Sequence, residues 1–260
     1  MDNAIGKEEQ VIKRVMADYP RLTEIVDFST PVVSFGNPND AEVATLGINP
    51  SSNEFQVGKG NKSPLGHLEK KRLVDTESLG VSQPKSLTRE QAIRVIRGCY
   101  DYFLGPNANP YDWFNNLENL VLKPFGYSYN DKNALACHLD LVQWATDPVW
   151  SKIKSPAVKN MLLSDDKEFL KYQLTSYAFK FVFLNGGTVI DQFSKLDIVN
   201  LEVIGEVTRN SKGGKHLVYR GKIGDTTYLG WGINVGARDA NKQGLAELSQ
   251  LLGRMKNCVK

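Results

Sequence analysis

Four short apolar runs, each ending in a polar turn, constrain this chain more than anything else in its sequence. They cover 42–48 (EVATLGI), 134–144 (ALACHLDLVQW), 180–186 (KFVFLNG) and 226–234 (TTYLGWGIN). Apolar runs of this kind, bounded by turn residues, read as buried strands. The segments between them have helical character. Val11, Ile12, Val15 and Met16 recur at helical spacing within 7–27, where Pro20 is a break. Thr88 with Gln91 forms a capping box that opens a helix over 88–104. Further helices are predicted over 113–122, 166–180, 188–196 and 243–255. Strands separated by helices predict an α/β fold with a parallel sheet covered on both faces. Two more stretches, 201–207 and 215–223, are β-like, and Gly224-Asp225 is a turn signal before the last strand. Residues 53–86 lack periodicity, and a loop of that length is usually functional or mobile. No Ser/Gly run reads as a linker, so 1–260 is expected to be a single domain.

In parallel sheets ligands bind at the carboxyl ends of the strands. The exits here are GINPSS, HLDLVQWATDP, FLNGG and GINVGARD, and three of the four carry polar residues able to act on a ligand. Other chemistries find less support. His67, His138 and His216 form neither a triad nor a metal set, and no GxxxxGK[ST] loop occurs. Cys99, Cys137 and Cys258 are far apart, without CxxC spacing, so no metal or iron–sulfur site is expected. Sparse cysteines fit a reducing cytoplasm. The N-terminus has no signal-peptide core, and no apolar run approaches the roughly 20 residues that span a bilayer, so neither secretion nor a membrane is expected. The net charge of +3 permits nucleic acid without arguing for it. Lys59, Lys62, Lys70, Lys71 and Arg72 form one basic cluster, and Arg209, Lys212 and Lys215 another. Each is either a phosphate-binding patch or a solvated face.

Three of these segments resemble the uracil-DNA glycosylase superfamily. Gly47-Ile48-Asn49-Pro50 after a buried strand looks like its first motif, in the GINP form of the mismatch-specific uracil/thymine branch. HLDLVQWATDP resembles the strand that reads the base. GINVGARDANKQGLAEL resembles the last motif, which supplies an oxyanion donor, a wedge and a helix. Order and spacing match over 42–256. The last motif diverges, with Asn234-Val235-Gly236-Ala237 where the family has His-Pro-Ser-Pro or Asn-Pro-Ser, and 53–86 and 200–222 have no counterpart. The resemblance implies a three-layer α/β/α fold with a central, mainly parallel four-stranded sheet. It also implies a DNA glycosylase without metal or cofactor, acting as a monomer on double- or single-stranded DNA.

On that resemblance Asn49 positions the water that attacks the sugar. A neutral amide orients a water but takes no proton, which suits a reaction in which the base leaves first. The alternative is an Asn that caps the turn before Pro50. Asp140 lies in the middle of the reading strand, on one face with His138 and Val142 by strand alternation. A buried charge there needs a partner or a raised pKa. Uracil-cutting relatives usually have Asn at this point. Asp instead accepts from the 4-amino group of cytosine, or, protonated, donates to its ring nitrogen. The alternative is a structural salt bridge.

Gly47, Ile48 and Pro50 complete the motif around the base. Ser51 and Ser52 are small where strict uracil enzymes have a blocking aromatic, which leaves the 5-position open. Phe55 is either the stacking platform for a flipped base or a loop hydrophobe on the core. Asn234 is either a donor to the base 2-oxygen or a turn residue ahead of Gly236. Arg238 falls at the wedge position, and Lys242, at the start of the last helix, adds phosphate contacts, as do Lys59 and Lys62. Asp140 with an open 5-position looks similar to the anti-phage members that remove glucosylated 5-hydroxymethylcytosine from phage DNA and leave abasic sites. The alternatives are a uracil or thymine mismatch repair enzyme, a reader that binds a modified base without cutting, and an unrelated α/β domain.

Overall fold

All four apolar runs form strands in the computed structural model, which describes residues 2–18, 20, 22–56, 71–105, 108–209, 214–237 and 240–258. They are β1 (Val43–Gly47), β2 (Ala136–Asp140), β3 (Phe181–Asn185) and β6 (Thr226–Trp231). Every residue of β1 and β2 is buried, as expected of strands covered on both faces. Two further strands, β4 (Glu202–Thr208) and β5 (Lys215–Ile223), extend the sheet to six in the order β2-β1-β3-β6-β5-β4. β1 and β3 pair parallel, as do β3 and β6, whereas β5 is antiparallel to both β6 and β4. Helices flank the sheet, and the fold is α/β, consistent with a three-layer α/β/α arrangement. The expected count of four strands is corrected to six. The two additional strands are half exposed and carry no continuous apolar run, so their β-like pattern did not mark them as part of the central sheet.

The chain divides into two compact units interleaved in sequence. One comprises Met1–Asn37, Ile48–Tyr111 and Leu139–Ser176; the other comprises Pro38–Gly47, Asp112–His138 and Tyr177–Lys260.

In the first unit lie α1 (Asp2–Val15), α2 (Arg89–Tyr100) and α5 (Pro156–Ser176). The Thr88–Gln91 capping box is present, with both reciprocal bonds made. Ile25, Val142, Trp144 and Leu162 form one cluster of its core. A buried polar clamp lies beside it. Arg14 pairs with Asp166 and donates from Nε to Gln143 Oε1 at 3.0 Å. Asp166 also accepts the Gln143 N–H at 2.6 Å. Gln143 Nε2 in turn donates to the Asp140 carbonyl at 3.2 Å, so the clamp holds the backbone that leaves β2.

The second unit carries the sheet, except Leu139 and Asp140 of β2, together with the helical stretch Phe114–Phe125, α6 (Gly187–Ser194) and α7 (Lys242–Cys258). Phe114–Phe125 is α3 (Phe114–Leu117), a π turn (Glu118–Leu122) and α4 (Lys123–Phe125) in succession. Buried Glu118 accepts from Ser128 Oγ at 2.7 Å and from the Tyr129 N–H at 3.0 Å. α6 packs on β3 and β6, and α7 on β4. No helix among the described residues is long and apolar enough to cross a membrane.

Candidate functional site

β1 ends at buried Gly47 and delivers Ile48, Asn49 and Pro50 into the turn that follows. In the first unit the Ile48 carbonyl accepts the Val142 N–H at 2.8 Å. Asn49 is half buried, and the orientation of its amide follows from its neighbours. One end of the amide faces the Pro50 carbonyl at 3.0 Å, the Trp144 carbonyl at 3.4 Å and Thr146 Oγ1 at 3.0 Å. Carbonyl oxygens only accept, so the end facing them is the NH2 group. Oδ1 therefore faces away, and among the described residues nothing donates to it. Asn49 presents an acceptor.

Ser51 caps the short helical turn Ser52–Glu54 by accepting the Asn53 N–H at 3.2 Å. Ser51 and Ser52 are half buried, as small residues at an open edge would be. Phe55 is 3% exposed and offers no open ring face, which favours its reading as a loop hydrophobe.

Glu54, in the same turn, is a feature that sequence reasoning missed. Its carboxyl is fully buried and accepts from Tyr102 OH at 2.8 Å; Tyr102 OH accepts the Tyr111 N–H at 3.0 Å. The Arg72 and Leu73 N–H groups close on the Glu54 carbonyl at 3.0 and 3.1 Å. Arg72 lies over the Tyr111 ring at 5.3 Å and donates from Nε to the Asn109 carbonyl at 2.8 Å. Burial pushes Glu54 up to about 7; the Tyr102 bond and the Arg72 charge pull it down, and the nearby Asp140 carboxylate adds to the rise. Asp140 closes β2 at 5% exposure. The first unit thus sets two buried carboxyl groups within electrostatic reach of each other.

His138, in the second unit, is 2% exposed, and its Nδ1 is 2.7 Å from Thr45 Oγ1. Thr45 Oγ1 also meets Tyr129 OH at 2.6 Å. The Trp113 and Phe114 rings pack edge-on against the imidazole at 5.4 and 5.2 Å. These contacts make His138 an anchor of the strand.

Asn234 follows β6 and is exposed. Its Oδ1 accepts the Gly236 N–H at 3.1 Å and a bond from Asn185 Nδ2 at 3.2 Å. A backbone N–H only donates, so this end of the amide is the oxygen. Nδ2 is the end left outward, and among the described residues it has no acceptor. Asn234 presents a donor, the opposite of Asn49. Lys242 is exposed at the first position of α7, whose N-terminus is capped by Asn241 Oδ1 accepting the Gly244 N–H at 2.9 Å. Arg238, Lys59 and Lys62, with Lys70, Lys212 and His67, lie outside the described residues.

No protein-family model matches the chain, and no curated protein matches it.

Proposed function

We propose that the chain is a DNA glycosylase that hydrolyses the N-glycosidic bond of an extruded cytosine-type base. The preferred target is glucosylated 5-hydroxymethylcytosine in phage DNA, and the product is an abasic site. The observation that carries this reading is the polarity of Asn49. Its NH2 group is held by three protein acceptors and its Oδ1 is left to accept from a ligand. An acceptor fixed in this way orients a water through one O–H bond and leaves the water's lone pair for the sugar. It takes no proton itself, so the step it serves is one in which the C1′–N1 bond breaks first and its electron pair leaves with the base. Water then bonds to C1′, and the proton it loses balances the proton the departing base gains.

Asp140 supports the choice of base. A carboxylate accepts from an exocyclic amino group, which cytosine has and uracil lacks. Glu54 supports it further, because burial holds that carboxyl largely protonated below neutral pH and so limits the negative charge beside Asp140. Small, half-buried Ser51 and Ser52 leave room for a substituent at the 5-position. Asn234 Nδ2 is a donor of the kind that stabilises negative charge developing on a base oxygen.

The test is mass spectrometry of bases released from single- and double-stranded DNA carrying uracil, cytosine, 5-hydroxymethylcytosine or its glucosylated form. Release of the glucosylated base, with alkali-labile sites left in the strand, is expected. Release of uracil alone would overturn the cytosine reading. Tight binding with no free base would make the chain a modified-base reader.

A further inference from the structure

The Asn185-Gly186-Gly187 turn at the exit of β3 has no part in the water or carboxyl chemistry, yet its polar groups are closely bonded. Asn185 is 3% exposed. Its Oδ1 accepts two bonds, from the Val235 N–H at 2.9 Å and from Trp231 Nε1 at 3.2 Å. Both partners can only donate, so the orientation of the Asn185 amide is fixed. Its Nδ2 then has one place to go, Asn234 Oδ1. The Gly186 and Gly187 N–H groups bond the Trp231 and Gly232 carbonyls at 3.0 and 3.1 Å, joining the exits of β3 and β6. Gly186 has φ +106°, which an L side chain rarely adopts, and a Cβ there would stand 3.6 Å from the Asn234 backbone. Asn116 Nδ2 donates to the Val235 carbonyl at 3.1 Å, so the Val235 residue is held through both its N–H and its C=O. The Trp113 indole occupies the space where a side chain on Gly236 would stand.

The geometry points to Asn185 as a positioning residue that locks the Asn234 amide with its NH2 outward, making the loop after β6 a one-way hydrogen-bond donor toward an acceptor oxygen of the substrate. This inference rests on the proposed function for what that oxygen is, a base carbonyl. A clamp on Val235 and Trp231 alone does not require Asn. An Asp carboxylate accepts from both donors equally well. What requires Asn is the fourth atom, the nitrogen that faces Asn234 Oδ1. Asn185→Asp therefore separates the two roles, keeping both accepted bonds and setting a carboxylate oxygen against Asn234 Oδ1. The Asn234 amide must then turn or detach, and its outward donor is lost.

The experiment follows the side-chain NH2 signals of 15N-labelled protein, with the Asn234 pair assigned by its disappearance in Asn234→Asp. In the wild-type protein the Asn185 pair should be protected from exchange with water and the Asn234 pair should exchange fast. In Asn185→Asp the Asn234 pair should shift and change its exchange rate. A protected Asn234 pair in the wild type, or one unmoved in Asn185→Asp, overturns the inference. The wild-type arm decides even where the variant does not fold. On releasable base, Asn185→Asp should lower kcat about 100-fold, the effect of removing one oxyanion donor, with DNA affinity unchanged and no further loss in an Asn234→Ala background. Wild-type kcat in Asn185→Asp beside a crippled Asn234→Ala would overturn the positioning role while sparing the proposed function. Full activity in Asn234→Ala would remove Asn234 from that function, and the NH2 signals would still judge Asn185.

Discussion

Asn49 offers its oxygen and Asn234 its nitrogen, and in each case the neighbouring carbonyl or N–H groups leave no other orientation. Asn49→Ala removes the water's acceptor and should slow base release by about 100-fold or more while DNA binding persists, as measured by single-turnover release beside a filter-binding titration. Asp140→Asn should keep the fold and lose the cytosine-type base; a variant that releases it at the wild-type rate would remove Asp140 from recognition. Glu54 makes a prediction about stability rather than rate. Its pKa in the folded protein, about 7, lies above its ordinary 4.5, so the folded state binds the proton more tightly than the unfolded chain. The resulting stabilisation is complete below pH 4.5 and is lost as pH rises through 7, an effect on the order of 3 kcal/mol. Urea denaturation at pH 5 and pH 8 should show the wild type losing ground to Glu54→Gln across that interval. A pH-independent difference between the two proteins would place the carboxyl in contact with solvent.

Individual elements show how the clamp beyond β2 works and how much of the fold was legible. Arg14→Ala leaves Asp166 buried without its cation, which should cost about 3–5 kcal/mol in chemical denaturation, far more than a surface pair would. The strands β1, β2, β3 and β6 were legible because strands buried on both faces must be apolar along their length. α2 was legible through its capping box. α5 begins ten residues before the expected 166, at Pro156, and Leu162 is the one buried residue in that added stretch. A single inward apolar residue gives no periodicity on which a helix reading could depend. Glu54 was invisible for a related reason. A Glu in a Ser/Asn turn reads as solvated, and what buries it, Tyr102 and the 71–73 backbone, comes from elsewhere in the chain. The positions of Asn49 and Asn234 beside strand ends followed from the exits, whereas Asp140, expected in the middle of a strand over 134–144, ends β2 because the strand stops there. The orientation of the amides was not legible, because it depends on residues such as Thr146 and Asn185 that lie far along the sequence.

At the scale of the whole molecule, each compact unit is assembled from three stretches of chain, and the polypeptide passes from one unit to the other at residues 37, 47, 111, 138 and 176. Residues 1–111 alone hold α1 and α2 without α5, so the fragment should show no cooperative melting transition, whereas mixing it with 112–260 is the arrangement in which a transition should reappear. Circular dichroism on the separate and combined fragments checks this. The same interleaving sets a timetable for biosynthesis. On the ribosome the first unit has all its parts only after residue 176 has emerged, and the sheet waits for β6 and the segment beyond it. β1 is therefore made well before either of its sheet neighbours, β2 and β3, and β3 before β6, so a nascent chain of this sequence depends on late closure, or on chaperones, to keep β1 from pairing with strands of other chains.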